Sequence, residues 1–452
     1  MPTPSLLIVP ARFKTGKLYS QIPTSGAGDF TVTRATSATR VNASGLIESV
    51  ASGIPRLDYF ASGGTVGCPA LLVEPSAQNL AINSQTWDAS NNWQLAETSG
   101  RVTVATATSG TLAPDGTSTA NAITPTSGNI THYLYSNASG SITYVSGTVY
   151  TISAFFKKGA GDSGRYVQVA GVGSRFLGNP FANFDLELGT ALIVSGSVAD
   201  SNRVSRIQNF GNGWYRCSLT ATCNNSGVSS VGVLAALLTA DTNARLGAAF
   251  AGNTSDYIFG WGAQLETGSV ATSYIPTTAG TGSRSADAIS VSSVSGLIGQ
   301  TEGTVYFEYY HNTATNAGIR NAFNLEGNVG SQFNGINFAT SNNGNDLQVA
   351  VQVSSSSVVS GGVFSTSVSE GWHKVAFGYN TAATGTVFYF DGNLIATRTL
   401  TSIPAMSRIA LMARANPFSG FDLDRQFNNR IRAAALYTTR LTNAELAAIT
   451  SP

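Results

Sequence analysis

Charge is what this sequence has least of: Asp, Glu, Lys and Arg make up 11% of its 452 residues, against about 25% in an ordinary soluble domain. The 25 Lys+Arg nearly cancel the 24 Asp+Glu, leaving a formal net charge of +1. That removes the positive field on which sequence-independent nucleic-acid binding relies, so nucleic acid is not an expected partner. Long hydrophobic runs are missing too. Nothing approaches the roughly 18 uninterrupted apolar residues of a spanning helix, and no membrane insertion is expected. The apolar stretch ending at Pro10 has no basic segment before it and no small-residue cleavage pattern after it, so it is not read as a signal peptide. The three cysteines, Cys68, Cys217 and Cys223, form an odd and sparse set. Cys217 and Cys223 fall in one predicted strand, roughly 20 Å apart at about 3.3 Å per residue, beyond disulfide reach; all three read as buried free thiols. His132, His311 and His373 are widely separated and show no zinc spacing. There is no G-x-S-x-G elbow and no Walker-type loop. The Gly-rich GAGDSG and GVGSRFLG stretches lack a following helix pattern and read as strand-connecting loops.

What fills the place of charge is Gly, Ser, Thr and Asn, with 48 glycines, while 42% of the chain is hydrophobic and 10% aromatic. Such a chain can bury several cores and is not a disordered tail. Helical periodicity is nearly absent and period-2 alternation recurs throughout, so the expected fold is all-β. In YTISAFFKK, Tyr150, Ile152, Ala154 and Phe156 share one face; in TVYFEYY, Val305, Phe307 and Tyr309 face one way and Tyr306, Glu308 and Tyr310 the other. FYFDGNLIA predicts a hairpin turning at Asp391-Gly392-Asn393. The one convincing helix is C-terminal, where Thr442 and Glu445 have capping-box spacing ahead of Leu446, Ala447 and Ile449.

Composition breaks divide the chain. PTTAGTGSRSADA (276–288) lacks large apolar residues and reads as a linker, and a second break lies between Glu74 and Asn79. The expected organisation is an N-terminal region at 1–78, a central β-sandwich at 79–280 and a second sandwich at 284–452. GNGWYRCSL (211–219) and SEGWHKVAF (369–377) read as one sandwich strand used twice, with Arg216 and Lys374 on the face opposite the core. For Trp214 and Trp372 a ring closing the end of a core is favoured over sugar stacking.

The phrases RATSATRVNASGLIESV (34–50), IPRLDY (54–59), LLVEPSAQNLAINS (71–84), APDGTSTA (113–120), YTISAFFKKG (150–159), FDLELGT (184–190), GNGWYRCSLTAT (211–222) and IFGWGAQLETGSVATSYIPTT (258–278) follow in this order. Together they resemble a modular family of tailed-bacteriophage and prophage virion proteins, described as head-spike, head-fibre or tail-fibre proteins. From about Arg284 onward, EGTVYFEYY, GWHKVAFGYN, VFYFDGNLIA and IRAAALYTTRLTNAELAAIT are similar to a concanavalin A-like or laminin G-like lectin module. The resemblance implies two jelly-roll-type sandwiches in tandem behind a small β-rich N-terminal region. It further implies a virion protein assembled in the host cytoplasm, docked on capsid or tail proteins through residues 1–78, and homotrimeric by analogy with viral fibres. Truncating residues 1–75 is then expected to leave folded sandwiches that no longer join particles.

Three function classes stay open: a structural fibre or decoration subunit, an adhesin for host-surface polysaccharide, and a polysaccharide depolymerase. Enzymatic pairs would be Asp185 with Glu187 in FDLEL, or Asp422 with Asp424 in FDLDR, but exposed carboxylates paired with Arg are the preferred reading, and no enzyme is expected. Glycan binding needs flat aromatic faces beside planar hydrogen bonders. Trp87 and Trp93, in the polar run NSQTWDASNNW, are rim candidates, whereas Trp261 belongs to the core. In the second sandwich NVGSQFNG (328–335) offers Phe333 and Asn334, and ARANPFSGFD (413–422) offers Arg414, Asn416, Phe418 and Asp422. No cofactor is expected; Asp391, Asp422 and Asp424 are Ca²⁺ candidates, an ion some related lectin modules bind.

Overall fold

In the computed structural model all residues are described except 61–65, 96–99, 107–110, 313–318, 330–331, 342–345, 361–362, 417–419 and 423–427, and the side chains of 106, 137–141, 328–329, 332, 414–416 and 420–422. The fold is all-β, two jelly-roll-type sandwiches with one short α-helix, Asn443–Thr450, at the C-terminal end. The pairs within both sandwiches are antiparallel.

The central sandwich stacks two six-stranded sheets. In one, Val149–Ala160 lies between Trp214–Thr222 and Tyr257–Thr267, and in the other Gly227–Leu238 lies between His132–Tyr144 and Tyr166–Ala170. Tyr150, Ile152, Ala154 and Phe156 point inward together and meet Cys217, Leu219, Val167 and Leu237. Their alternation follows from the two-residue period of a strand.

The second sandwich stacks a nine-stranded sheet on a ten-stranded one. Its nine-stranded sheet centres on Gly303–His311, flanked by Gly371–Tyr379 and Asn429–Tyr437. Val305, Phe307 and Tyr309 are fully buried against Phe323, Phe338 and Phe377. The Thr386–Phe390 and Asn393–Leu400 hairpin turns on Asp391 and Gly392, both left-handed at φ 46° and 79°, the conformation that a two-residue turn needs. Thr442 caps the helix: its Oγ1 accepts from the Glu445 N–H at 3.3 Å and its own N–H donates to Glu445 Oε2 at 2.9 Å. Leu446 then packs on the outer side of the sheet with Val387 and Tyr389.

Two expectations about organisation are corrected. Residues 1–78 are not a separate body but supply strands to both sheets of the second sandwich. Leu6–Ile8 and Ala70–Val73 pair with Asn429–Tyr437, Arg56–Asp58 pairs with Ala70–Val73, and Phe30–Thr33 pairs with Ala288–Ser292. The supposed linker is likewise structural: Gly282–Arg284 pairs with Ala77–Asn79, and Arg284 and Asp287 are buried. Its lack of large apolar residues reflects burial through ion pairs in place of apolar packing.

Candidate functional site

Where the N-terminal strands meet the central sandwich, the polypeptide buries a cluster of ions. Asp287 Oδ1 accepts from Arg34 Nη1 at 2.9 Å, while its Oδ2 accepts from Arg56 Nη2 and from the Glu74 N–H. Glu74 Oε2 accepts from Arg56 Nη1 at 2.6 Å and lies 3.1 Å from Arg284 Nη1, and its Oε1 takes the Ser273 N–H at 2.7 Å. Burial pushes the Glu74 carboxyl up, but the Arg284 and Arg56 guanidinium groups and the Ser273 donors outweigh it and hold it well below the usual carboxylate range. A carboxyl depressed in the folded state stabilises the fold above its unfolded pKa, about 4.3, and that contribution is lost as pH falls further. Thermal midpoints are therefore expected to hold near neutrality and fall below about pH 4.3, with a shallower fall in Glu74→Gln. Parallel slopes in the two proteins would show that other carboxyls carry the acid sensitivity.

Glu74 of this cluster also lines a small cleft, with about 60 Å³ of space open to water-sized molecules. One wall is the N-terminal hairpin of Ala38–Val41 and Ile47–Val50, tied to the central sandwich by Thr39 Oγ1 donating to Tyr274 O at 2.5 Å. Across from it stand Gln208 and Phe210, beside Arg216 of Trp214–Thr222, and the second sandwich contributes Asn312, Asn428 and Arg430. Arg206 joins the two sandwiches nearby, its Nη1 donating to Asn312 Oδ1 at 2.7 Å and to Glu370 Oε2 at 2.9 Å.

Phe60 and Phe210 are half-buried, with ring centroids 5.0 Å apart, and Phe210 meets the fully buried Phe155 edge-on at 4.9 Å. The Arg430 guanidinium sits 5.1 Å from the centre of the Phe60 ring while its Nε donates to Asp58 Oδ2. Asp58 Oδ1 accepts from the Val41 N–H at 2.7 Å, so the two cleft carboxylates, Asp58 and Glu74, are both held by partners. Glu74, held below the usual carboxylate range, is not poised as a general acid, which needs a raised pKa. The arrangement offers aromatic faces, amide groups and guanidinium groups around one space, which suits binding.

The glycan candidates named from sequence do not gather here. Trp87 and Trp93 are not at a rim: they are 0% and 2% exposed and stack on each other at 4.6 Å inside the central core. The polar residues around them are used up in the turn above, where Asp88 Oδ1 accepts from the Asn91 N–H at 3.0 Å, and the rings fold beneath it. Trp261 is a core residue, and Trp214 is 2% exposed in the cluster at the module junction. Trp372 does not close a core; it lies half-buried on the outer sheet face with the Arg432 guanidinium 3.8 Å from its ring centre.

Asn334 is buried, its Oδ1 accepting from the Ser354 N–H, and the Phe333 N–H donates to Ser355 Oγ at 3.0 Å. Those bonds brace a turn in which Ser354 and Ser355 both have positive φ, so Asn334 is not free for a sugar. Arg414 and Asn416 lie opposite Asp422 and Gly420 in a short backbone ladder; their side chains, and that of Asp422, are outside the described set, as are Phe418 and Asp424. Asp391 Oδ2 contacts His373 Nδ1 at 2.7 Å and its Oδ1 accepts from the Lys374 N–H at 2.8 Å, so both oxygens serve the hairpin. Among the described residues no group of three or more His, Cys, Asp and Glu comes together. Cys217 and Cys223 are buried free thiols; Cys68 is exposed, against expectation.

Asp185 and Glu187 do not form a catalytic pair. Arg165 bridges them, with Nη2 2.6 Å from Asp185 Oδ2 and Nη1 2.9 Å from Glu187 Oε2. Burial raises the Asp185 pKa, but Arg165 and the N–H groups of Leu188 and Glu187 pull it below its ordinary value; Lys158 lowers that of Glu187.

Sequence reasoning missed Phe60, Phe210, Gln208, Asn312, Asn428 and Arg430, which come from four distant stretches of chain. No local signal announced them: Arg216 alternates with the inward-facing Cys217 and Leu219 of its own strand, the ordinary pattern of a side chain facing water.

No protein-family model and no curated protein matches the chain. Among solved structures it is similar to the CBM40 of Ruminococcus gnavus IT-sialidase bound to alpha2,3 sialyllactose, at 17% identity over 34% of this chain and 84% of that one, with a TM-score of 0.27. It is also similar to the heptameric SAP-like pentraxin of Limulus polyphemus, at 14% identity over 34% and 70% of the two chains, TM-score 0.27. A third is the binding domain of botulinum neurotoxin DC in complex with rat synaptotagmin II, at 13% identity over 36% and 39%, TM-score 0.28.

Proposed function

We propose that the protein binds a glycan in the cleft between its modules, as a subunit of a bacteriophage virion appendage that meets host-surface polysaccharide. The observation that carries the binding reading is the half-buried pair Phe60 and Phe210, ringed by Gln208, Asn312 and Asn428 in one space. Aromatic faces take the apolar side of a sugar ring, and amides accept and donate to its hydroxyls. The virion assignment is supported by the ordered phrases between residues 34 and 278. It carries with it capsid or tail proteins as partners and a homotrimer as the assembly.

Binding of the full chain to an array of host lipopolysaccharide and capsular glycans tests the first part. Phe60→Ala or Phe210→Ala is expected to weaken the captured glycan about tenfold, the worth of one aromatic contact of roughly 1.4 kcal/mol. An array with no bound glycan would leave a purely structural subunit. Immunogold labelling of purified particles tests the virion assignment, and light scattering of the soluble protein tests the trimer.

A further inference from the structure

The molecule buries four arginines at this junction, Arg34, Arg56, Arg216 and Arg284, each no more than 3% exposed. Three of them are ion-paired to Asp287 or Glu74. Arg216 has no carboxylate within 4 Å among the described residues. Its Nη1 donates to Thr272 O at 2.5 Å and its Nη2 to Ser153 Oγ at 3.0 Å, while Nε has no partner. The guanidinium lies 5.3 Å from the centre of the Phe155 ring and lines the cleft. Buried cations are ordinarily paired, because an uncompensated one is costly.

Glu266 is the carboxylate whose field acts most on Arg216. Its oxygens are spent on Gln264 Nε2 at 2.6 Å and on the Thr272 N–H and Oγ1 at 2.9 and 2.6 Å. Burial also pushes its carboxyl up toward the neutral form. The cleft lining holds Arg40, Arg216 and Arg430 against Asp58 and Glu74, three cations to two anions. Arg40 and Arg430 are bound to Glu48 and Asp58, so Arg216 is the one of the three that makes no direct ion pair among the described residues.

We propose that the ligand is an acidic sugar, a uronic or other carboxylate-bearing residue of a polysaccharide, and that its carboxylate meets the Arg216 guanidinium at the floor of the cleft. This rests on the reading of the cleft as a glycan site and names the class of glycan it selects. A planar fork of N–H donors matches a carboxylate in two hydrogen bonds, and Phe60 and Phe210 would then hold the ring.

The test uses the full chain and three carboxylate polymers, polygalacturonate, alginate and hyaluronan. Each is paired with its own carboxyl-reduced form, in which the acid has become a primary alcohol. At least one acidic polymer is expected to bind about tenfold or more tighter than its reduced form, and Arg216→Gln is expected to bind both forms alike. Should Arg216→Gln fail to fold, the paired polymers on the unaltered chain decide the matter alone. Equal binding of acidic and reduced forms overturns the acidic ligand while leaving a neutral glycan in the cleft. Equally tight binding of dextran sulfate, an anion without carboxylates, overturns it in favour of plain charge attraction. Binding of no polymer, together with a blank glycan array, overturns the glycan reading itself.

Discussion

Asp287→Ala is expected to lower the stability of the chain by about 3–5 kcal/mol, the cost of leaving buried charges without their partner. The carboxylate serves Arg34, Arg56 and the Glu74 N–H at once, so truncation leaves Arg34 without its carboxylate, Arg56 with one carboxylate fewer and a backbone donor unpaired. Arg56 retains Glu74 and the Thr39 carbonyl. Arg34 retains only backbone carbonyls, those of Thr36, Val50, Ala51 and Ile54. Because these groups come from the N-terminal hairpin, its neighbouring strands and the segment before the second sandwich, the loss is expected to loosen the junction first. Chemical denaturation followed by near-UV circular dichroism checks this. A shift under about 1 kcal/mol, the scale of an exposed ion pair, would mean that water already reaches the cluster.

That cluster also marks where the sequence was legible and where it was not. Period-2 alternation gave the inward faces of Val149–Ala160 and Gly303–His311 correctly, because each strand has one face that must leave water. The capping box and the Asp391-Gly392 turn were equally readable, since both are local chemistry of a few residues. The role of residues 276–288 was not readable. Its glycines, serines and threonines resemble a linker, and only the folded chain shows Arg284 and Asp287 meeting Glu74 and Arg56 from more than two hundred residues away in sequence. The tryptophans failed for a related reason. A polar stretch around Trp87 and Trp93 suggested a rim, but the polar groups were needed to close the turn above two buried rings. The cleft itself joins residues 39–74, 155–274 and 312–430, and no local pattern announces such a meeting.

Deleting residues 1–75 is expected to destroy the second sandwich rather than release it. The deletion removes Leu6–Ile8 and Ala70–Val73, both partners of Asn429–Tyr437, and Phe30–Thr33, the neighbour of Ala288–Ser292. From the core it takes Leu6, Ile8, Leu18, Phe30, Val32, Leu57, Leu71 and Val73, all buried. At about 1.5–3 kcal/mol for each such side chain, the loss matches or exceeds the roughly 5–15 kcal/mol that holds a domain together. It would also leave Ile431, Ala434 and Leu436 without their cover and open strand edges that invite aggregation. By contrast, neither six-stranded sheet of the central sandwich takes a strand from residues 1–75, so a chain of residues 76–284 is expected to fold and stay soluble. Soluble yield, limited proteolysis and near-UV circular dichroism of the two truncations decide the matter. A 76–452 chain that remained soluble and resistant to protease would show that the second sandwich closes without its N-terminal strands, and would return those strands to the role of a detachable docking segment.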